Sequence, residues 1–192
     1  MEENGYLKTI RNYISPSFGL SCYLNLLLKE RTFKKKETLK LSDEYCAVLL
    51  FISSGTLRLY TIDAEEETTL LFWHQHQFIV PMATLGNYTE GELFIEFLDD
   101  ATLTGYSDKH TANLYKLFPE YRVLVNKLYQ HQLAALLLHT TALSRLNANA
   151  RFNQLMHTRP ELFNLCALKT IASYLGIHPK VLSRLRSKAV KK

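Results

Sequence analysis

The sequence predicts an α+β fold, in which a β-sandwich or barrel is preceded by a short helical segment and followed by helices. Between residues 32 and 107, apolar residues alternate with polar ones in short runs separated by turns, as at Leu93, Ile95 and Phe97; this period is typical of half-buried strands. Before residue 30 and after residue 107, apolar residues recur at helical spacing. Several short strands separated by turns favour a sandwich over a parallel sheet.

Two elements near the N-terminus can be assigned from their patterns. Leucines at positions 20, 24, 27 and 28 share one helical face, which predicts a helix ending near Glu30. Apolar residues alternate over 48–52 and again over 57–60, on either side of Ser53-Ser54-Gly55. Two alternating runs joined by a short turn containing glycine predict a β-hairpin at this point.

A long helix is predicted to begin at Pro119, because proline is tolerated in the first turn of a helix. An apolar seam in steps of four and three follows it: Tyr121, Val125, Leu128, Gln132, Ala135, His139, Ala142 and Leu146. Such a seam can pair with a second copy of the chain. It can equally pack on its own β domain, since neighbouring leucines widen the stripe. In the dimer interpretation the contacts are Tyr121, Val125, Leu128, Ala135 and Ala142.

Charge is distributed unevenly along the chain. The net charge is +5, yet residues 145–192 carry ten lysines and arginines against a single acid, Glu161. A basic C-terminal segment on a mildly acidic body favours a polyanionic partner such as nucleic acid. The predicted organisation is therefore a β domain over 1–118, a long helix over 119–146 and a basic helical domain over 147–192.

Residues 168–188, LKTIASYLGIHPKVLSRLRSK, have the features of two short helices joined by a tight turn. Ala172 is small enough for a second helix to cross closely, and Gly176 follows the first helix, where a left-handed residue commonly ends it. Pro179 suits the first position of the next helix. Contacts between the helices are expected from Ile171, Leu175, Ile177, Leu182 and Leu185, with Val181 also facing inward. The pattern indicates a helix-turn-helix.

The second helix is predicted to carry the chemistry of DNA recognition. Its outer face presents Lys180, Ser183 and Arg184, the expected contacts to base edges in a major groove. Phosphate contacts are expected from Lys169, Thr170, Arg186, Ser187 and Lys188, and also from Lys191 and Lys192. These positions predict a protein that binds double-stranded DNA.

Residues 151–188, together with TFKKKETLKL, LLFISSGTLRLYTID and IEFLDDATL upstream, resemble Crp/Fnr-type transcription regulators, in particular a short-tailed branch common in Bacteroidetes. The resemblance implies a cyclic-nucleotide-binding-like jelly roll with flanking helices, a homodimer joined through the long helix, and two helices reading a near-palindromic site. Two departures stand out. Lys36 occupies a position where the family usually has glycine, and only four residues follow Lys188, so the family's wing is expected to be reduced or absent.

The effector site departs further from the family. Relatives that bind cyclic nucleotides use a glycine–glutamate helix with an arginine for the phosphate, but residues 59–108 contain no lysine or arginine and ten acids. Gly91-Glu92-Leu93 resembles half of that cassette, followed by a strand without an arginine. We therefore expect no control by cyclic AMP in the usual way; an unidentified effector in the β domain stays open.

Other cofactors are not expected. Cys22, Cys46 and Cys166 are far apart, which argues against an iron–sulfur cluster and favours reduced thiols in a cytoplasmic protein. His74 and His76 could point from one strand face, but no third metal ligand is evident. His74, His76 and His110 are the candidate axial ligands for a haem, and isolated surface histidines are the commoner explanation. No metal or haem is predicted.

The same sequence bears on other functional classes. No glycine-rich phosphate loop, nucleophile elbow or metalloprotease helix occurs, so no catalytic residues and no enzymatic activity are expected. The apolar runs are too short to cross a bilayer. A ligand-binding or protein-interaction module with a vestigial DNA-binding domain is the alternative to a regulator. Contact with RNA polymerase is compatible with the sequence, although no pattern identifies the surface.

Overall fold

The computed structural model describes residues 4–64, 66–82 and 91–190. The helices are α1 (Gly5–Ile10), α2 (Phe18–Leu27), α3 (Thr111–Leu117), α4 (Pro119–Arg145), α5 (Ala148–Thr158), α6 (Leu162–Leu165), α7 (Leu168–Tyr174) and α8 (Pro179–Val190), with 3₁₀ turns at Glu44–Ala47 and Asp108–His110. The strands are β1 (Lys29–Phe33), β2 (Thr38–Lys40), β3 (Leu50–Ser54), β4 (Thr56–Asp63), β5 (Glu66–His74), β6 (Phe78–Ile79), β7 (Glu92–Phe97) and β8 (Ala101–Gly105).

The eight strands form two four-stranded antiparallel sheets that pack face to face. One sheet has the order β1-β8-β3-β6 and the other β2-β7-β4-β5. This double-sheet arrangement is a jelly roll. The core lies between the sheets, where Phe33 of one sheet stacks on Phe97 of the other with ring centroids 4.2 Å apart. The predicted α+β fold with an N-terminal jelly roll is confirmed.

The predicted hairpin around Ser53-Ser54-Gly55 is wrong, although both strands exist. β3 pairs with β6 and β8, whereas β4 pairs with β5 and β7 in the opposite sheet. Gly55 has a φ of 99°, and a Cβ there would lie 2.4 Å from the Cβ of Ala101. The segment therefore takes the chain from one sheet to the other at a point where only glycine fits. Alternation identifies strands but does not identify their partners.

Two further turns correct or refine the expectations from sequence. Strand β5 ends at His74 and His76 has a φ of 67°, so the two imidazoles do not share a strand face. Among the described residues, no group of three histidines, cysteines or acids is placed to hold a metal ion. Lys36 adopts a φ of 73° between β1 and β2, which is a left-handed conformation that glycine adopts most readily.

The first half of α4 is part of the β domain's core. Tyr121, Val125 and Leu128 are all at most 3% exposed and belong to the same apolar cluster as the inward-facing residues of both sheets. Further along, Gln132 accepts a hydrogen bond from Trp73 Nε1 at 3.0 Å.

For the first half of the seam, these contacts favour packing on the chain's own β domain over contact with a second copy. Assigning Tyr121, Val125 and Leu128 to a dimer interface was wrong, because these side chains are buried within their own chain. Ala135 and Ala142 lie on the same helix face and line a cavity between α4 and the C-terminal helices.

The C-terminal helices have a second core that includes residues of the β domain. Phe152, Leu162, Ile171 and Leu182 are at its centre, and Phe72 of β5 and Leu98 pack into it from the outer face of the sheet. The described residues after 147 contain helices and turns only, and α8 runs on to Val190. The division of the chain at residues 118 and 146 remains a prediction, since apolar packing crosses the second boundary.

Of the helices that the structure describes, none combines the length and apolar character that crossing a bilayer requires. Cys22 is exposed, Cys46 buried and Cys166 half-buried, and all three are free thiols. Burial raises the pKa of Cys46 to about 12 and that of Cys166 to about 11. These two thiols are therefore protonated near neutral pH and are poor nucleophiles.

Candidate nucleic-acid interface

The turn between α7 and α8 is closed by two backbone hydrogen bonds. The N–H of Ile177 donates to the carbonyl of Ala172 and that of Gly176 to the carbonyl of Ser173, both at 3.0 Å. Gly176 is left-handed, with a φ of 59°. This pair of bonds around a left-handed glycine is a Schellman motif, which satisfies carbonyls that would otherwise lack partners at the end of α7. The local prediction for Gly176 is confirmed.

The start of α8 is capped by His178. Its imidazole Nδ1 lies 3.2 Å from the backbone N–H of Lys180, and its carbonyl accepts from Val181 and Leu182. Pro179 occupies the first helical position, where the missing N–H would have had no intrahelical partner. The cap and the proline together fix where the helix begins.

The two helices pack as the sequence predicts, with one correction. Ile171, Ala172 and Leu182 are completely buried, and Leu175, Ile177 and Leu185 belong to the same cluster. Val181 was expected to face inward, but it is 37% exposed. It follows the cap directly and lies beside Lys180 on the outer side of the first turn.

The outer face of α8 is free within the described chain. Lys180, Ser183 and Arg184 are all exposed, and none of their side chains has a hydrogen bond or ion pair to another described residue. They lie at positions i, i+3 and i+4 and so project from one side of the helix. The structure therefore brings the predicted base-contacting residues together on one surface; their contact with bases stays a prediction.

The predicted phosphate-contacting residues flank this face. Lys169 at the start of α7 and Lys188 near the end of α8 are exposed, whereas Thr170 and Arg186 are half-buried. Ser187 is exposed, and its hydroxyl donates to the carbonyl of Ser183 at 3.0 Å. The same hydroxyl can therefore accept a further hydrogen bond but has no second proton to donate. Lys191 and Lys192 lie outside the described residues.

Arg151, whose role is not predicted from the sequence, holds the helix-turn-helix against the end of α4. Its Nε donates to the carbonyl of Leu175 at 2.8 Å, and its Nη1 donates to those of Leu146 and Leu143 at 2.6 and 3.1 Å. One cation thus serves the C-terminal carbonyls of α4 and α7, where the helix dipole also favours positive charge. No sequence pattern distinguishes Arg151 from the other cations around it.

Ser173 of α7 joins the helix-turn-helix to the free edge of β5. Its hydroxyl accepts from the N–H of Thr69 at 2.9 Å and donates to the carbonyl of Glu67 at 3.1 Å. The neighbouring Tyr174 ring packs edge-on against Phe72. Arg159 adds a bond from Nη1 to the carbonyl of Phe72 at 2.9 Å. The first helix of the motif therefore occupies the position that a further strand would take.

The β domain offers little for a cyclic phosphate among its described residues. Arg58 is buried, but it lies on the outer face of the sheet, where its guanidinium binds Glu67 at 2.5 Å, Glu96 and the hydroxyl of Thr69. Glu92 begins β7 and forms an exposed ion pair with Lys40. Residues 83–90, which precede the Gly91-Glu92-Leu93 sequence, lie outside the described part of the chain.

Comparison with known proteins finds similarity in structure only. No family model and no curated protein sequence matches the chain. FixK2 from Bradyrhizobium japonicum superposes with a TM-score of 0.69 at 15% identity, covering 86% of this chain and 85% of that one. A protein from Eubacterium rectale assigned to the Crp/Fnr family of transcriptional regulators gives 0.70 at 19% identity, with 94% and 88% covered.

A third similar structure is the c-di-GMP responsive global regulator CLP of Xanthomonas campestris, with a TM-score of 0.62 at 14% identity over 88% of this chain and 89% of CLP. Because the likeness to the Eubacterium rectale protein covers 94% of this chain, it includes parts of the jelly roll, the long helix and the C-terminal helices. Of these three, the Eubacterium rectale protein is assigned to the Crp/Fnr family and CLP is a global regulator. The chain therefore shares the fold of a Crp/Fnr-family transcriptional regulator over most of its length.

Proposed function

We propose that this chain is a sequence-specific DNA-binding transcription regulator that acts as a homodimer in the cytoplasm. The observation that carries the proposal is the exposed face of α8, where Lys180, Ser183 and Arg184 project together without partners among the described residues. Guanidinium and ammonium groups on the first turns of such a helix suit the acceptor atoms of guanine in the major groove. The fold that the chain shares with structures named as regulators supports the same function.

The flanking cations support binding to the DNA backbone. Lys169, Arg186 and Lys188 lie on both sides of the base-reading face, and the whole C-terminal segment is basic. If these three cations each neutralise one phosphate in both chains of a dimer, log K plotted against log salt has a slope of about −5. A slope of this size indicates contacts to the DNA backbone and separates DNA binding from salt-insensitive association.

The dimer that we propose uses the face of α4 opposite to the predicted seam. Leu133 and Leu137 are 56% and 58% exposed on this face, and Val123 is 48% exposed more than two turns before them. Apolar side chains at this density on a helix exposed to water favour burial against a second copy. Two copies joined along α4 would present two α8 helices to the half-sites of a near-palindromic sequence.

The effector, if there is one, is proposed not to be cyclic AMP bound in the family's usual way. Arg58 is already held by two carboxylates, and Glu92 is paired with Lys40. An anionic phosphate needs a cation or free N–H groups that these residues do not offer. Calorimetry with cyclic AMP and cyclic GMP tests this: no heat of binding is expected, and micromolar affinity for either nucleotide would overturn it.

The DNA-binding proposal is tested by selecting genomic fragments that the full-length protein retains, then measuring affinity for a selected site by fluorescence anisotropy. We expect tight binding to the selected site, at least about a thousandfold tighter than to a shuffled duplex of the same composition, with the salt slope given above. Equal affinity for the selected and shuffled duplexes, or affinity that does not change with salt, would contradict the proposal and favour an interaction module.

A further inference from the structure

A cavity of about 270 Å³ lies outside the jelly-roll interior, where three parts of the chain meet. One wall comes from β5, with Phe72 and Trp73, a second from α4, with Gln132 and His139, and the third from the C-terminal helices. Because the cavity is formed by both the β domain and the helix-turn-helix domain, its shape depends on how the two are packed together.

The charged groups on the cavity wall are of one sign. Arg151 and Arg159 line it, whereas the described lining residues include no aspartate or glutamate. Arg151 is engaged with helix-end carbonyls. Arg159 is half-buried and donates to the carbonyl of Phe72, but no ion pair joins it to a described carboxylate. A guanidinium has five N–H donors, so Arg159 has donors to spare.

The rest of the wall is largely apolar and aromatic. Phe72, Trp73 and Tyr174 contribute rings, and His139 stacks on Tyr174 with a centroid separation of 4.1 Å and an angle of 8° between the planes. Burial, together with the nearby Arg151 guanidinium, lowers the pKa of His139, so this imidazole is neutral near pH 7. The positive charge at the wall is therefore carried by the arginines.

We propose that this cavity is a binding site for a small organic carboxylate with a planar apolar body. The carboxylate pairs with Arg159, which has the unused donors, and the planar body lies among the aromatic rings. Charge-assisted pairing of a guanidinium with a carboxylate in a half-buried site is strong and directional. Apolar walls with a few convergent polar groups are the usual form of a small-molecule site.

Occupation of the site has a consequence that rests on the proposed function. A ligand that contacts β5, α4 and the C-terminal helices at once stabilises the arrangement in which α7 is docked on β5, relative to any arrangement in which it is not. Where DNA binds only one of these arrangements, the carboxylate changes the affinity for DNA, and DNA changes the affinity for the carboxylate by the same factor.

The binding step is tested by calorimetry on the full-length protein with indole-3-acetate and with its neutral amide, indole-3-acetamide. The two probes share the same planar body and differ in charge, so we expect the carboxylate to bind at least about tenfold more tightly. Equal affinities for the two probes would overturn the proposal. So would no binding of the carboxylate up to about 5 mM, because a dissociation constant above this value is too weak for a specific binding site.

Variants locate the site. Arg159→Gln should abolish the preference for the carboxylate, whereas Arg145→Gln, at an exposed arginine outside the cavity, should leave it unchanged. Ala142→Phe fills the cavity from α4 and should weaken both probes; it keeps the test decisive if Arg159→Gln does not fold. If both probes bind Ala142→Phe as they bind the wild type, the cavity is not the site.

The regulatory step is tested separately, by repeating the anisotropy measurement with saturating indole-3-acetate. A changed affinity for DNA supports the coupling. If the chain binds no DNA while the calorimetric preference persists, the proposed function fails and the site stands. If the chain binds the selected DNA but neither probe, the proposed function stands and the proposed carboxylate site fails.

Discussion

Replacing Arg151 with methionine should loosen the helix-turn-helix from the rest of the chain. Methionine keeps much of the length of the side chain but removes bonds to four carbonyls, at distances from 2.6 to 3.4 Å. A hydrogen bond to a charged donor contributes about 1.5–3 kcal/mol. Because these bonds share one half-exposed guanidinium, their effects do not add, and we expect a combined loss of about 3 kcal/mol.

Hydrogen exchange followed by mass spectrometry measures this loss locally. Peptides that cover α7 should exchange about a hundredfold faster in Arg151→Met than in the wild type, while peptides from β7 and β8 should be unchanged. Arg145→Met is the matched control, since Arg145 ends α4 on its exposed side. Equal exchange of α7 in the two variants would refute the role of Arg151 as the clamp between α4 and α7.

Three further predictions follow from the same structure. Arg184→Ala should reduce discrimination between the selected and shuffled duplexes by about 1–3 kcal/mol per half-site, whereas Lys188→Ala should weaken both duplexes alike and reduce the salt slope of a dimer by about 2; identical behaviour of the two variants would mean that the reading face is misassigned. Leu137→Lys should convert a dimer to a monomer in sedimentation experiments while Ala112→Lys, on α3, does not, and an unchanged mass for Leu137→Lys would exclude this face. Gly176→Ala should cost about 1–2 kcal/mol of stability in chemical unfolding, since it forces a side chain into a left-handed backbone 3.1 Å from Leu143; no measurable change would show that the turn relaxes freely.

Local features were the most predictable part of the molecule. The end of α7 at Gly176 and the start of α8 at Pro179 follow from the backbone preferences of those two residues, which act over a few positions. The exposed positions of Lys180, Ser183 and Arg184 follow from the helical period once Leu182 is placed inside. Val181 was predicted to face inward but is exposed, because an apolar side chain in the first turn of a helix need not be buried.

Long-range relations were harder to predict. The runs around Gly55 were recognised as strands, but period-2 alternation says nothing about which sheet each strand joins, and the hairpin was therefore wrong. On α4, leucines occur on most sides of the helix, so the spacing of apolar residues did not identify the face that packs on the β domain. The roles of Arg151 and Ser173 depend on carbonyls and N–H groups about 24 and 104 residues away in sequence, which no local pattern reveals.

The docking of Ser173 on β5 has a consequence for truncated forms of the chain. β5 is the outermost strand of its sheet, and α7 covers backbone groups of residues 67 and 69 that would otherwise be open to a neighbouring molecule. An uncovered edge of this kind can recruit strands from other chains. Removal of the C-terminal helices would thus leave a β domain with a tendency to associate edge to edge, so that the helices proposed to bind DNA would also protect the sheet from aggregation.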